Sequence, residues 1–334
     1  MKTHKFLFNL TLILGTMISI SSYSWLSVWM GLEINLISFI PMILDTTMTS
    51  STESSIKYFI SQSMASTMLL MSIITMTMNF YPTFISQSMA STMMLTTSMM
   101  MKLGMPPIHL WFIQVIEGIS WKNMFILMTW QKFAPMVILT YSMSYQSKII
   151  LIIIMYSAII SSISGLNQTK LPKILAFSSI NHISWMISSM LVNELIWLIY
   201  FLIYSINSLS ITIMFKQSNS FFIYQLMNFL AKEPENKFIL SFNLFSLGGL
   251  PPLLGFFPKW LTIQFLMPLN LQFLTFTLTM STLITLFFYL RICFLLMLTQ
   301  SSSMNWKVKK IKSLSLNRLL MAWINFLQPQ QCYW

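Results

Sequence analysis

Apolar residues run through this chain in continuous stretches of about twenty, enough for a helix to cross roughly 30 Å of hydrocarbon. They place helices near 6–22, 23–44, 57–78, 84–118, 124–143, 149–166, 172–192, 195–215, 238–267 and 271–298, with a weaker one near 314–327. The segments 84–118 and 238–267 are too long for single spans and are read as broken. A membrane β-barrel would alternate apolar and polar residues in segments of about ten, and these runs do not alternate. The expected fold is an all-α polytopic membrane protein with about 10–11 transmembrane helices.

The two broken segments echo each other. "LGMPPIHLWF" (103–112) and "GGLPPLLGFF" (248–257) both carry Gly-x-Pro-Pro inside a long apolar run. The helix-breaking residues are Gly104, Pro106 and Pro107 in the first, and Gly249, Pro251 and Pro252 in the second. Gly/Pro-interrupted spans at corresponding positions of two halves are the signature of a repeat transporter. Lys102 precedes its break and Lys259 follows its own, which suits halves related by inversion. One membrane domain over 1–334 is expected, with repeats near 6–143 and 149–298 and the weak helix after them.

Composition agrees. The chain is 56% hydrophobic and 8% charged, where a soluble domain carries about 25% charged residues. It contains 31 Met and 27 Phe but only 8 Gly, a bias towards AT-rich codons that is a property of the gene. The net charge of +12 does not mark a nucleic-acid binder, because the lysines punctuate apolar runs instead of forming a patch. Alternating the loops between two sides gives one side thirteen lysines, from Lys2 to Lys312, and the other Lys148 alone. That asymmetry follows the positive-inside rule and puts the N-terminus on the cytoplasm-equivalent side. "WKVKKIK" (306–312) reads as a juxtamembrane segment for anionic lipid, cardiolipin being one example. The two cysteines, Cys293 and Cys332, form no CxxC, which argues against zinc, iron–sulfur and disulfide frameworks. No cleavable signal peptide is expected.

Five basic residues remain inside or near the spans: Lys102, Lys132, Lys259, Arg291 and Arg318, together with Glu33. Intramembrane charges mark functional sites by default. A proline pair removes backbone donors, so carbonyls one turn earlier lose partners and can stabilise an ammonium. Desolvation disfavours a charged amine and a nearby carboxylate favours it, so an amine balanced between them can exchange a proton. The plainer alternative for Lys102 is a kinked helix with a snorkelling side chain. Lys132 lies too deep in "TWQKFAP" to snorkel, and Pro135 is expected to kink its helix. Glu33 is the natural carboxylate partner, or a satisfied ion pair with no task. His109 and His182 can relay protons, or be hydrogen-bonded core histidines. Glu117 and Glu194 sit near helix ends. Arg291 reads as near the basic-side end of its span, structural or lipid-facing.

"WMGLEINLISFIP", "KLGMPPIHLWF", "MTWQKFAP", "GLNQTKLPKILAFSSINHISWM" and "FSLGGLPPLLGFFPKW" resemble, in order, the mitochondrial NADH dehydrogenase subunit 2 family. Its members are antiporter-like membrane subunits of respiratory complex I. The resemblance covers about 25–295 and implies proton translocation coupled to NADH oxidation by ubiquinone. By resemblance, Glu33 pairs with Lys102, Lys132 connects, Lys259 is terminal near the exit, and His182 is the histidine of the second half. It implies the mitochondrial inner membrane, with the N-terminus in the matrix. The implied partners are neighbouring antiporter-like and small core subunits. NADH, FMN, iron–sulfur clusters and ubiquinone are expected in other subunits, with no cofactor or metal here. The chain departs from the family at "LSLNRLLMAWINFLQPQQCYW", where Asn317 and Arg318 shorten the last helix or lay it at the interface. A stand-alone cation/proton antiporter and an inert membrane scaffold are the alternatives.

Overall fold

Helices form where the apolar runs lie, because in hydrocarbon every backbone polar group must be satisfied within its own segment. The computed structural model describes residues 2–44, 49–78, 85–142, 147–230 and 234–298. Among them are fourteen α-helices, one 3₁₀ turn and no strand beyond an isolated bridge between Lys170 and Phe222. The first half contains α1 (Lys2–Ser21), α2 (Trp25–Ile43), α3 (Thr49–Met78), α4 (Ile85–Leu103), α5 (Leu110–Gly118), α6 (Trp121–Met128) and α7 (Trp130–Ser142). The second contains α8 (Ser147–Gly165), α9 (Leu171–Met190), α10 (Glu194–Ser218), α11 (Ile223–Leu230), α12 (Pro234–Gly248), α13 (Phe256–Leu266) and α14 (Gln272–Leu298). The weak helix near 314–327 and the basic run 306–312 lie outside the described residues.

Five helices, α1, α2, α3, α10 and α14, are each long and apolar enough to cross a membrane. The others reach that length differently. α4 with α5, and α12 with α13, are the two proline-broken segments. α9 is long enough, at about 30 Å, but carries seven serine, asparagine and histidine residues. It is buried from Ile174 through Met190, walled by α5, α8, α10, α13 and α14. Its hydroxyls bond back to carbonyls three residues earlier, as Ser178 does to Leu175 and Ser188 to Trp185. Asn181 Oδ1 also accepts from Ser281 of α14, at 3.3 Å. A helix that polar tolerates the membrane interior because protein surrounds it.

The periphery is apolar and the interior polar. Phe6, Leu14, Phe273, Leu283 and Phe294 are exposed, while Asn35, Gln62, Asn207 and the three span lysines are buried. That distribution is the one expected where lipid is the outer solvent.

Three elements differ from the pattern-based expectation. α3 begins at Thr49, earlier than 57. The span 124–143 breaks at Thr129, between α6 and α7, with Pro135 inside α7. A proline clashes with the carbonyl four residues before it, here that of Gln131, so the distortion falls on the preceding turn. α11 lies in a stretch expected to be a loop. Its eight residues bury Ile223, Leu226 and Leu230, and Gln225 Oε1 accepts from the Phe221 and Phe222 amides at its start.

Candidate functional site

The two breaks share one backbone design. At the first, Gly104 N–H donates to the Met101 carbonyl and Met105 N–H to that of Met100, each at 3.1 Å. At the second, Gly249 N–H donates to the Ser246 carbonyl at 3.1 Å and Leu250 N–H to that of Phe245 at 3.2 Å. Both glycines have positive φ, 72° and 80°, which a side chain would resist. Both Pro–Pro bonds, Pro106–Pro107 and Pro251–Pro252, are cis.

In an uninterrupted helix the carbonyls of residues 102 and 103 would accept from residues 106 and 107, and those of 247 and 248 from 251 and 252. All four would-be donors are prolines, so four carbonyls are freed. In the second half Lys259 answers them: its ammonium donates to the Leu247 carbonyl at 3.3 Å and the Gly248 carbonyl at 2.9 Å. The Lys259 side chain also fills the space beside Gly249 where a Cβ would stand, its Cδ and Nζ each 2.9 Å from that position. In the first half the Lys102 carbonyl accepts instead from Gln62 Nε2 of α3, at 3.3 Å.

Lys102 stands in the last turn of α4, with no hydrogen bond among the described residues from its ammonium to the freed carbonyls. It borders a cavity of about 20 Å³, lined by Tyr58, Gln62, Gln131 and Lys132 among others, which is room for about one water. Lys132 lies across it. Only 2% of Lys132 is exposed, and its Nζ has no hydrogen-bond partner among the described residues. That ammonium stands over the rings of Phe112 (5.0 Å) and Tyr204 (5.7 Å), whose faces attract a cation.

Glu33 sits on α2, half-buried. Among the described residues it forms no direct ion pair with Lys102, yet its charge reaches both Lys102 and Tyr58. Beside Lys102, Gln131 and Tyr58 line the same cavity; Gln131 Nε2 donates to Asn35 Oδ1 of α2 at 3.0 Å, and Tyr58 O–H contacts Gln131 Oε1 at 3.4 Å. His182, on α9, is buried, with Nδ1 3.0 Å from the Tyr200 hydroxyl and its ring 5.0 Å from that of Tyr204. It lies within the fields of both Lys132 and Lys259. Glu33 thus acts on Lys102 by charge, Lys102 and Lys132 line one cavity, and His182 feels the charges of both Lys132 and Lys259.

Other polar residues stand apart from this line. His109 heads α5, partly exposed, against the Pro107 carbonyl. Glu117 pairs with Lys170 and, at 3.0 Å, with Lys173, tying the end of α5 to the start of α9. Arg291 donates to the carbonyls of Leu166 and Gln168 at 2.7 and 2.8 Å and holds the turn after α8. Asn35, Tyr58, Gln62, Gln131, Tyr200 and Tyr204 were not singled out by sequence. Glutamine beside lysine in "WQKF", and tyrosine in apolar spans, were the available signals.

The family model described as NADH:quinone oxidoreductase/Mrp antiporter, TM, matches residues 22–285. NADH-ubiquinone oxidoreductase chain 2 of Aedes aegypti is 49% identical over 325 residues, 96% of this chain and 94% of that one. Its namesake in Anopheles gambiae is 43% identical over 316 residues, 93% and 92% of the two chains. A chain of respiratory complex I from Thermus thermophilus, solved with bound aureothin, has the same fold. Its TM-score is 0.81 at 19% identity, over 88% of this chain and 70% of that one. The chain belongs to the NADH:quinone oxidoreductase/Mrp antiporter transmembrane family, in the branch of NADH-ubiquinone oxidoreductase chain 2.

Proposed function

We propose that this chain is a core membrane subunit of respiratory NADH:ubiquinone oxidoreductase and carries protons along Glu33, Lys102, Lys132, His182 and Lys259. The observation that carries the reading is the run of three buried lysines, two of them facing one water-sized cavity. A scaffold gains nothing from buried amines without carboxylate partners, since each costs several kcal/mol to desolvate. The chain contributes transport to an enzyme whose NADH, FMN, iron–sulfur and ubiquinone chemistry is carried by other subunits. Its place is the mitochondrial inner membrane, N-terminus in the matrix, against neighbouring antiporter-like and small core subunits.

The mechanism follows from charge spacing. A charge arriving from a neighbouring subunit changes the field of Glu33 at Lys102. Lys102 then gives up its proton through the cavity to Lys132. His182, which feels the charges of both Lys132 and Lys259, passes it on, and Lys259 releases it on the far side. Moving one proton against about 150–200 mV costs roughly 3.5–4.6 kcal/mol. A thousandfold change in an amine's proton affinity supplies about 4 kcal/mol.

The test is Lys132→Met in the assembled complex, reconstituted in vesicles. Methionine keeps the volume and removes an amine that has no hydrogen bond among the described residues, so assembly is expected to be near normal while protons pumped per electron fall. Unchanged pumping removes Lys132 from the path. Cation/proton exchange by the isolated chain in liposomes would favour the stand-alone antiporter.

A further inference from the structure

α6 and α10 leave an open groove between them, about 310 Å³ in volume. Its walls include Phe125 and Ile126 of α6 with Leu209 and Ile213 of α10, all partly or fully exposed. At its head stand Lys122, in the first turn of α6, and Lys216, in the last turn of α10. Both lysines are exposed and border the same groove. Among the described residues neither has an acidic partner; Glu117 is taken by Lys170 and Lys173.

Two ammonium groups at the head of one apolar trough are arranged for an anion that brings its own hydrocarbon. A phosphodiester seated there would accept a charge-assisted hydrogen bond from each. The trough below is the right chemistry for an acyl chain. Charge above and apolar wall beneath match a lipid's head and tail, whereas a neighbouring protein helix would need the groove without the paired amines.

We propose that this groove binds one anionic phospholipid, its phosphate bridging Lys122 and Lys216 and one acyl chain lying against Phe125, Ile126, Leu209 and Ile213. The site is separate from the proton path and does not depend on it.

The experiment uses the assembled complex with photoactivatable phosphatidylglycerol, and phosphatidylcholine carrying the same photoreactive chain as control. Phosphatidylglycerol is expected to label the 121–126 and 209–216 peptides, with competition by unlabelled phosphatidylglycerol but not by inorganic phosphate or phosphatidylcholine. Lys122→Gln/Lys216→Gln should weaken that labelling about twenty-five-fold, at about fivefold per lysine near an anionic headgroup. Lys122→Arg/Lys216→Arg should retain it. If the glutamine pair fails to assemble, the competition on the unaltered complex decides. Absence of label from both peptides, equal labelling by phosphatidylcholine, undiminished labelling in the glutamine pair, or photocross-linking of the groove to another subunit would each overturn the proposal. Displacement by inorganic phosphate alone would assign the lysines to a free anion and overturn it too.

Discussion

At the break after α4 the freed Lys102 carbonyl accepts from a neutral amide, Gln62; at the break after α12 the freed Leu247 and Gly248 carbonyls accept from the Lys259 ammonium. The two backbones share the bonds at Gly104 and Met105 and at Gly249 and Leu250. What differs is where the lysine stands. Lys259 follows its prolines and folds back onto the carbonyls they freed, so one amine is both a structural cap and a charge. Lys102 precedes its prolines, and its amine is left for the cavity it shares with Lys132. The same break thus yields an anchored lysine in one half and an unanchored one in the other.

The comparison is broken most directly by Lys259→Met set beside Lys102→Met. The first leaves two buried carbonyls without donors, at about 1–3 kcal/mol each. We expect a severe loss of assembled complex on native gels. The second breaks no carbonyl bond, so assembly should hold while pumping per electron falls. Lys259→Gln sharpens the distinction, because its amide can donate to the carbonyls but cannot carry the proton: assembly should recover and pumping should not. Equal assembly of the two methionine variants would show that carbonyl capping is not what distinguishes these lysines.

Gln62→Leu comes next. It orphans one buried carbonyl instead of two, and about 1–3 kcal/mol is at stake. The thermal midpoint of the complex should drop by less than in Lys259→Met. Gly249→Ala should cost about 1–2 kcal/mol for the left-handed conformation alone. Its new Cβ would also stand 2.9 Å from Lys259 Cδ and Nζ. That variant should lose part of the lysine's capping as well, and a pumping defect alongside the lowered midpoint would show it. Gly104→Ala carries the same conformational cost, but its Cβ would meet Phe112. It should lower the midpoint with less effect on pumping.

Much of this contrast was open to sequence reading. Continuous apolar runs placed the helices, and the two Gly-x-Pro-Pro motifs placed the breaks. Freed carbonyls holding an ammonium were expected at Lys102, but the structure places that contact at Lys259, and the Lys102 carbonyl accepts from Gln62 instead. The partners that complete the site lie far off in sequence: Gln62 is 40 residues from Lys102, and Gln131 is 96 from Asn35. No local period reports such a meeting, which depends on how α2, α3 and α7 pack. Pro135 signalled a kink in the span 124–143, but the break falls earlier, at Thr129 between α6 and α7. α11 was missed because eight residues hold too few turns to show a helical period. The separation of Glu33 from Lys102 is likewise a matter of packing, which motif resemblance does not report.

The smallest expected effect is that of Tyr58→Phe, and it tests whether the first half uses its cavity as the comparison requires. The Tyr58 hydroxyl contacts Gln131 Oε1 at 3.4 Å, long for an O–H donor, so its loss should cost under about 0.5 kcal/mol of stability. The ring keeps its edge-on packing against Phe39, at 5.2 Å. Assembly and thermal midpoint should therefore stay at wild-type values. The same residue lines the cavity between the two amines of the first half. Removing a polar atom there should slow proton passage about twofold, equivalent to roughly 0.4 kcal/mol on a barrier. A lowered midpoint with normal pumping would make Tyr58 a packing residue. A pumping deficit with an unmoved midpoint would show that the space beside Lys102 and Lys132 is used by protons, while the corresponding space beside Gly249 is filled by the lysine itself.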